Sequence, residues 1–217
     1  METMTTSIIL PFLVFFPFLG AVISYIIGRS NKGARDIWCW ILSAVIFIAS
    51  LTLIGKETVY SLRGFCGLGL SFAADGFGVI LAVLTGAIWL ITTIFSKEYM
   101  AAERNRNRYY FFVFLTLGAT MGIFLSADLF TTFIFFEIMS FTSFVLVMHD
   151  EEDFTVRSAK TYLAVAVIGG LVTLMGLFMM YQKAGTLNMA ELTAFMQSRE
   201  NPAEFYAIGV SRKAKRS

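Results

Sequence analysis

The chain has 217 residues, of which 57% are hydrophobic and only 15% are charged, and its mean hydropathy is +0.73. This composition lies well outside the range of soluble globular proteins and indicates an integral membrane protein. The net charge of +2 is small, and the basic residues are divided among short hydrophilic segments. Both facts argue against a nucleic-acid partner and leave the lipid bilayer as the first expected partner.

Six apolar segments of the sequence are long enough to cross a membrane, which takes about 20 residues for about 30 Å of hydrocarbon. Each must be helical, because unpaired backbone groups find no water in lipid. We therefore predict an all-α integral membrane fold with about six transmembrane helices. The first segment is predicted to be a retained span, since no basic region precedes it and no cleavage site follows it. The predicted spans run approximately over Ser7–Ile27, Ile37–Ile54, Ala74–Phe95, Tyr109–Ser126, Leu129–Met148 and Thr161–Tyr181.

The spans form one predicted transmembrane domain, 1–181, and a polar tail, 182–217, is expected to be poorly ordered. Only Ala127 and Asp128 connect spans four and five, so these spans are predicted to be antiparallel neighbours. Gly118 and Gly122 of span four have the spacing that lets a second helix approach closely.

The orientation follows from the basic residues of alternate loops, which are more numerous on the cytoplasmic side. One side has nine and the other, up to residue 204, has four. We predict a multi-pass protein of the cell membrane with its N-terminus outside and the loops 28–36, 96–108 and 149–160 in the cytoplasm. The nine are Arg29, Lys32, Arg35, Lys97, Arg104, Arg106, Arg108, Arg157 and Lys160, and the four are Lys56, Arg63, Lys183 and Arg199.

The fifth predicted span carries a glutamate, Glu137, near its middle, in the segment FTTFIFFEIMSFTSFVLV. Glu137 follows Asp128 by nine residues, hence by about 13 Å along a helix. A charged side chain at this depth costs about 3 kcal/mol on insertion scales, so an ionisable residue there indicates a functional site. Burial disfavours the charged form of a carboxyl, and such a group suits a proton relay. The alternative is a protonated glutamate that only hydrogen-bonds a neighbouring helix.

Three other charged residues are weaker candidates for a proton pathway. Asp75 opens span three, where it either caps the helix or lines a proton entrance, and Asp128 is more typical of a cap. Lys160 starts span six, where it either extends to the interface or approaches the bundle interior.

No cofactor or metal site is predicted from this chain. Consecutive carboxylates such as those in HDEED, His149–Asp153, are usually solvated, and a single histidine excludes a bis-histidine haem. Cys39 and Cys66 have no CxxC partner and are predicted to be structural. The sequence also contains no nucleotide loop or nucleophile elbow, so a catalytic redox role for the chain itself has no support.

Three segments of the sequence resemble the proton-translocating antiporter-like family. They are ADGFGVILAVLTG, LSADLFTTFIFFEIMSFTSFVLV and SAKTYLAVAVIGGLVTLMGLFMMYQKAGTLNMAEL. The family includes large membrane subunits of respiratory complex I, membrane subunits of membrane-bound hydrogenases and large subunits of multi-subunit sodium/proton antiporters. The resemblance covers most of residues 70 to 195 and therefore the N-terminal part of the family's length.

The resemblance implies a fold of two inverted five-helix repeats, with ion sites near the membrane midplane. It also implies that Glu137 matches a mid-membrane glutamate that pairs with a lysine on a broken seventh helix. On this basis we expect a subunit, or an N-terminal fragment of one, in a complex that translocates protons or sodium ions. Its expected partners are other membrane subunits, and the complex would be an NADH dehydrogenase-like or hydrogenase-type oxidoreductase or a cation antiporter.

Two other interpretations remain open at this point. After GTLNMAEL the sequence runs into YAIGVSRKAKRS, where the resemblance implies the seventh helix and its lysine. One alternative is thus a truncated or frame-shifted product that conducts no ions and acts only as a structural or assembly piece. A small independent solute carrier or channel is less favoured, because the sequence contains nothing that resembles a selectivity filter.

Overall fold

A computed structural model describes residues 5–6, 8–62, 69–102, 105–149 and 153–200 of the chain. A bundle of α-helices makes up most of this structure, and a small β-sheet lies at one end of the bundle. In chain order the elements are β1 (Thr5–Thr6), α1 (Ile9–Ser30), α2 (Lys32–Leu51), β2 (Thr58–Leu62), β3 (Leu70–Ala74), α3 (Gly76–Tyr99), α4 (Arg106–Phe124), α5 (Leu129–Val147), α6 (Asp153–Ala184) and α7 (Met189–Glu200). A short 3₁₀ turn, Met100–Ala102, follows α3.

Five helices of the described structure, α1, α2, α3, α5 and α6, are long and apolar enough to cross a membrane. The fourth predicted span is α4, whose first turn contains Arg106 and Arg108 and is therefore less apolar. This helix occupies the interior of the bundle, where it packs against α1 and α5 and also contacts α3. The predicted all-α membrane fold is confirmed in its helices.

The helices extend beyond the predicted spans at their polar ends. Only Asn31 separates α1 from α2, and its side-chain oxygen accepts hydrogen bonds from the amides of Gly33 and Ala34 at 2.9 and 3.1 Å. This cap starts α2 five residues before the predicted Ile37, so the predicted loop 28–36 is mostly helical. Similarly, α6 has 32 residues and extends about 48 Å, which exceeds the thickness of the hydrocarbon core.

The two glycines of α4 face different neighbours. A Cβ atom added at Gly118 would lie 2.6 Å from the ring of Phe18 and 2.9 Å from the carbonyl oxygen of Val14, both in α1. A Cβ at Gly122 would overlap the ring of Phe135 in α5. Both positions therefore need glycine for close helix packing, as the spacing indicates, and α4 and α5 are neighbours as predicted.

The structure contains a three-stranded sheet that the sequence did not predict, with β2 and β3 between α2 and α3 and β1 before α1. β2 pairs with β3 in antiparallel register, and β1 pairs with β2 in parallel. The α4–α5 connection adds to this sheet, since the amide of Ala127 donates to the carbonyl of Ser71 at 2.8 Å. On its other side the amide of Met189 donates to the carbonyl of Ala127 at 3.2 Å. We call this end of the bundle the sheet end.

The last described helices lie on the outside of the bundle. α6 packs against α5, yet only Ala159, Gly170 and Leu177 are buried among its described side chains. Part of the predicted tail 182–217 is helical, because α6 continues to Ala184 and α7 follows. Residues 201–217 lie outside the described residues.

Candidate functional site

The direction of Glu137 follows from the packing of α5. The buried residues of α5 are Thr131, Phe135 and Thr142. Phe135 lies against Gly122 of α4, and Thr142 accepts a hydrogen bond of 2.9 Å from Thr116 of α4. Glu137 is two residues beyond Phe135, which is about 200° around a helix. Its carboxyl therefore points away from α4 and toward α6.

The carboxyl of Glu137 lies against the backbone of α6 at Gly170. A Cβ atom added at Gly170 would be 2.5 Å from Oε1, 2.9 Å from Oε2 and 2.9 Å from Cδ of Glu137. Glu137 is half-buried, and within the described part of the chain its carboxyl has neither a hydrogen-bond partner nor an ion-pair partner. The site is thus an ionisable carboxyl in the middle of a membrane helix, and this carboxyl makes no hydrogen bond or ion pair with the described residues.

The side of α6 that faces away from α5 is exposed and apolar. Its exposed side chains include Val165, Ile168, Leu171, Val172 and Met175. Such a face is compatible with lipid or with a further transmembrane helix. The carboxyl of Glu137 therefore lies between the packed bundle and a helix that has few contacts of its own.

Asp75 and Asp128, both predicted as pathway or cap residues, lie at the sheet end and cap helices. Oδ1 of Asp75 accepts a hydrogen bond from the amide of Gly78 at 2.9 Å. Oδ1 of Asp128 accepts from the amide of Thr131 at 2.7 Å, and its Oδ2 accepts from the Thr131 hydroxyl at 2.6 Å. The Thr131 oxygen in turn accepts a 3.0 Å hydrogen bond from the amide of Ser71. This chain of bonds ties β3 to the start of α5.

The four candidate residues do not meet at one point. Asp128 is nine residues before Glu137, about 13 Å along α5, and Lys160 is ten residues before Gly170, about 15 Å along α6. Lys160 is exposed. The structure therefore separates Glu137 from Lys160 on one side and from the two capping aspartates on the other.

The described residues contain no group of three metal-binding side chains. His149 is buried, its ring packs edge to face on Tyr109, and its carbonyl oxygen accepts a 2.9 Å hydrogen bond from Arg108. The acidic residues 150–152 and Cys66 lie outside the described residues. Cys39 is buried 3.2 Å from the Ser24 hydroxyl, in keeping with the structural role predicted for it.

A second set of charges is buried at the end of the bundle opposite the sheet. Arg35, at the start of α2, is fully buried, and its Nε and NH2 donate to Oδ1 of Asp36 at 3.0 and 2.6 Å. Its NH1 donates to the side-chain oxygen of Asn107. Arg106 donates to Oδ2 of Asp36 at 3.3 Å. We call these four residues the arginine cluster.

The arginine cluster joins the ends of several helices. The guanidinium of Arg35 lies 4.7 Å from the ring centre of Tyr110, which gives a cation–π contact. Arg106 also donates to the carbonyl of Lys97, at the end of α3, at 3.2 Å. Gly28 of α1 has no room for a side chain, since a Cβ there would overlap Asn107. The cluster therefore fastens α1, α2 and α3 to the first turn of α4.

The sequence prediction did not identify this cluster. The sequence pattern places Arg35 and Arg106 in loops, where they indicate the orientation, and it indicates no role for Asp36 or Asn107. A usable signal was the adjacent pair Arg35–Asp36 beside an apolar run, because a helix end that carries both charges can fold them inward. Their pairing with α4 depends on a contact across 70 residues, which the local pattern does not contain.

Comparisons with known proteins agree with this architecture. The family described as NADH:quinone oxidoreductase/Mrp antiporter, TM, matches residues 126–213. A sodium/proton antiporter subunit of Bacillus subtilis is 28% identical over 214 residues, which are 95% of this chain and 43% of the relative. The chain spans less than half the length of the curated relatives that it matches.

Two solved structures share the fold. A chain of the membrane-bound sulfane sulfur reductase, an archaeal respiratory membrane complex, has a TM-score of 0.77 and 19% identity over 86% of this chain and 39% of its own length. A chain of the Mrp complex from Dietzia sp. has a TM-score of 0.73 and 23% identity over 83% of this chain and 20% of its own length. Together, these comparisons confirm the resemblance of this chain to part of the proton-translocating antiporter-like family of membrane subunits.

Proposed function

We propose that this chain is a membrane subunit, or part of one, in a multi-subunit complex that translocates protons or sodium ions. The proposal is supported by relatives that are named as subunits of a sodium/proton antiporter and by a shared fold with chains of two membrane complexes. Its partners would be other membrane subunits of that complex. The observation that carries the proposal is the unpartnered carboxyl of Glu137, within the described residues, in the middle of a membrane helix.

Glu137 would act as the proton relay of this subunit. A carboxyl in apolar surroundings favours its neutral form, and a nearby cation favours its ionised form. Proton transfer at Glu137 would therefore depend on how closely a lysine approaches its carboxyl. The resemblance implies such a lysine on a further helix, and Glu137 is only half-buried, so part of its side chain is open to the approach of that helix.

Lys160 is the only one of the weaker candidates whose described contacts leave it available for a proton pathway. It is exposed, about 15 Å from the level of Gly170, and an exposed cation there would influence the approach of protons to Glu137. The contacts of Asp75 and Asp128 support the capping interpretation for both of them.

The proposed orientation in the cell membrane has the N-terminus outside. The loops 28–36, 96–108 and 149–160 would then face the cytoplasm, with the arginine cluster at the cytoplasmic end and the sheet outside. The excess of basic residues on the first side, nine against four, supports this orientation.

The test is the variant Glu137→Gln in the assembled complex. Gln keeps the shape of the side chain but carries no exchangeable acidic proton, so we expect ion translocation to fall by about 100-fold or to background. Glu98→Gln, the same chemical change at an exposed position in the last turn of α3, should leave translocation unchanged. Unchanged translocation in Glu137→Gln, at equal amounts of complex, would contradict the relay and favour a purely structural role for the chain.

A further inference from the structure

Gly170 occupies an unusual position among the residues of α6. It is buried, whereas the residues on both sides of it, Gly169 and Leu171, are exposed. Of the described side-chain positions of α6, only Ala159 and Leu177 are similarly buried, and they lie eleven residues before and seven residues after Gly170. Gly170 is therefore the middle one of three widely spaced contacts, and it is the one that meets Glu137.

The space that a side chain at Gly170 would need is filled by the carboxyl itself. The three atoms nearest to an added Cβ are Oε1, Cδ and Oε2 of Glu137, at 2.5, 2.9 and 2.9 Å. In contrast, a Cβ added at Gly169 or Gly176 would meet nothing within 4 Å. Of these three glycines of α6, only Gly170 is in close contact with the Glu137 carboxyl.

We infer that Gly170 is a positioning residue that determines where the Glu137 carboxyl lies between α5 and α6, an inference that rests on the proposed function of Glu137. The backbone amides and carbonyls around Gly170 are hydrogen-bonded within α6. The carboxyl of Glu137 therefore packs against this surface without a hydrogen bond to it. The carboxyl is held in position while both of its oxygens stay available for a proton.

The physical consequence of a methyl group at Gly170 is a shift of the carboxyl and little else. An ordinary contact needs about 3.5 Å, so the carboxyl must move by about 1 Å. It is the far end of a flexible side chain, and this movement does not require either helix to shift. A misplacement of about 1 Å in a reacting group can reduce a rate by as much as 100-fold.

The experiment compares Gly170→Ala with Gly169→Ala in the assembled complex. Both variants add one methyl group to adjacent positions of the same helix. The first measurement is the rate at which dicyclohexylcarbodiimide modifies Glu137, determined by mass spectrometry of the peptide. The second is ion translocation, and the double variant Glu137→Asp, Gly170→Ala tests whether a side chain shorter by one methylene accommodates the new methyl.

In Gly170→Ala we expect dicyclohexylcarbodiimide to modify Glu137 several-fold faster, because the carboxyl no longer lies against α6. We also expect this variant to translocate ions about tenfold more slowly. Gly169→Ala should match the unsubstituted protein in both measurements. The double variant should translocate faster than Gly170→Ala alone, which a merely structural role for Gly170 does not explain.

Three outcomes would overturn the inference. The first is that Gly170→Ala and Gly169→Ala give the same modification rate, and the second is that the double variant is no faster than Gly170→Ala. The third is that only Gly170→Ala prevents assembly, since the glycine would then serve packing. The proposed function is tested separately. If Glu137→Gln translocates ions normally while Gly170→Ala still alters the modification rate of Glu137, then Gly170 positions the carboxyl but Glu137 is not the proton relay.

Discussion

The arginine cluster and Glu137 place charged groups inside the same helical bundle in two different ways. In the cluster, the carboxylate of Asp36 accepts from Arg35 and Arg106, and Arg35 also bonds to Asn107. Glu137 lies against a bare helix backbone, with no bonding partner among the described residues. Buried charges that bond to one another within the bundle hold helices together, whereas a half-buried carboxyl with no bond to the described residues remains free to exchange a proton or to meet a partner from outside.

Removing Arg35 should have the largest effect on stability. Arg35→Met keeps the apolar stem but leaves Asp36 buried with only the longer bond to Arg106. Breaking one partner of a buried ion pair costs about 3–5 kcal/mol, so we expect a loss of about 3 kcal/mol in unfolding free energy. The measurement is denaturant unfolding of the purified protein in detergent. Arg29→Met, at an exposed position, is the control, and equal stability of the two variants would show that the cluster is not structural.

The next largest effect is expected for Gly118→Ala. Here an added Cβ meets the ring of Phe18 at 2.6 Å and the backbone oxygen of Val14 at 2.9 Å, and backbone cannot move aside as a carboxyl can. Overpacking of this kind costs about 1–3 kcal/mol. Gly176→Ala, where a Cβ meets nothing within 4 Å, should be neutral or slightly stabilising in the same unfolding measurement. If both variants have the same stability, α1 and α4 are not packed as described.

A smaller loss is expected at the cap of α5. Asp128→Ala removes the acceptor for the amide and hydroxyl of Thr131 and should cost about 1–2 kcal/mol, whereas Asp128→Asn keeps an acceptor and should retain most of the stability. Both should translocate ions in proportion to the amount of folded complex. A translocation defect in a stable Asp128→Asn would place Asp128 on the proton pathway and not only at a cap.

The sequence was sufficient for the helices because lipid allows an apolar run of this length only one regular structure. It was less informative at the helix ends, where Asn31 and the polar start of α6 extend the helices beyond the hydrocarbon. The sheet was missed because β2 and β3 have only five residues each and are stabilised by contacts with the distant α4–α5 connection.

For the site, the sequence identified Glu137 and its depth but not its surroundings. The identity of a charge in an apolar run can be read locally, and so can the cap positions Asp75 and Asp128. The contact with Gly170 and the pairing of Asp36 with Arg106 depend on how helices far apart in sequence are arranged. That arrangement also explains why Arg35 and Arg106, which the sequence places in loops, are bonded inside the bundle, whereas Glu137 has no bond to the described residues.

The most direct test of this difference is Glu137→Gln, measured for stability and for ion translocation in the same preparation. Because no bond of Glu137 to the described residues is lost, we expect unfolding free energy to change by less than about 0.5 kcal/mol. Translocation per assembled complex should fall to background, while Glu98→Gln retains it. A variant that is strongly destabilised yet translocates normally per folded complex would contradict the account, because Glu137 would then be a structural charge like those of the arginine cluster.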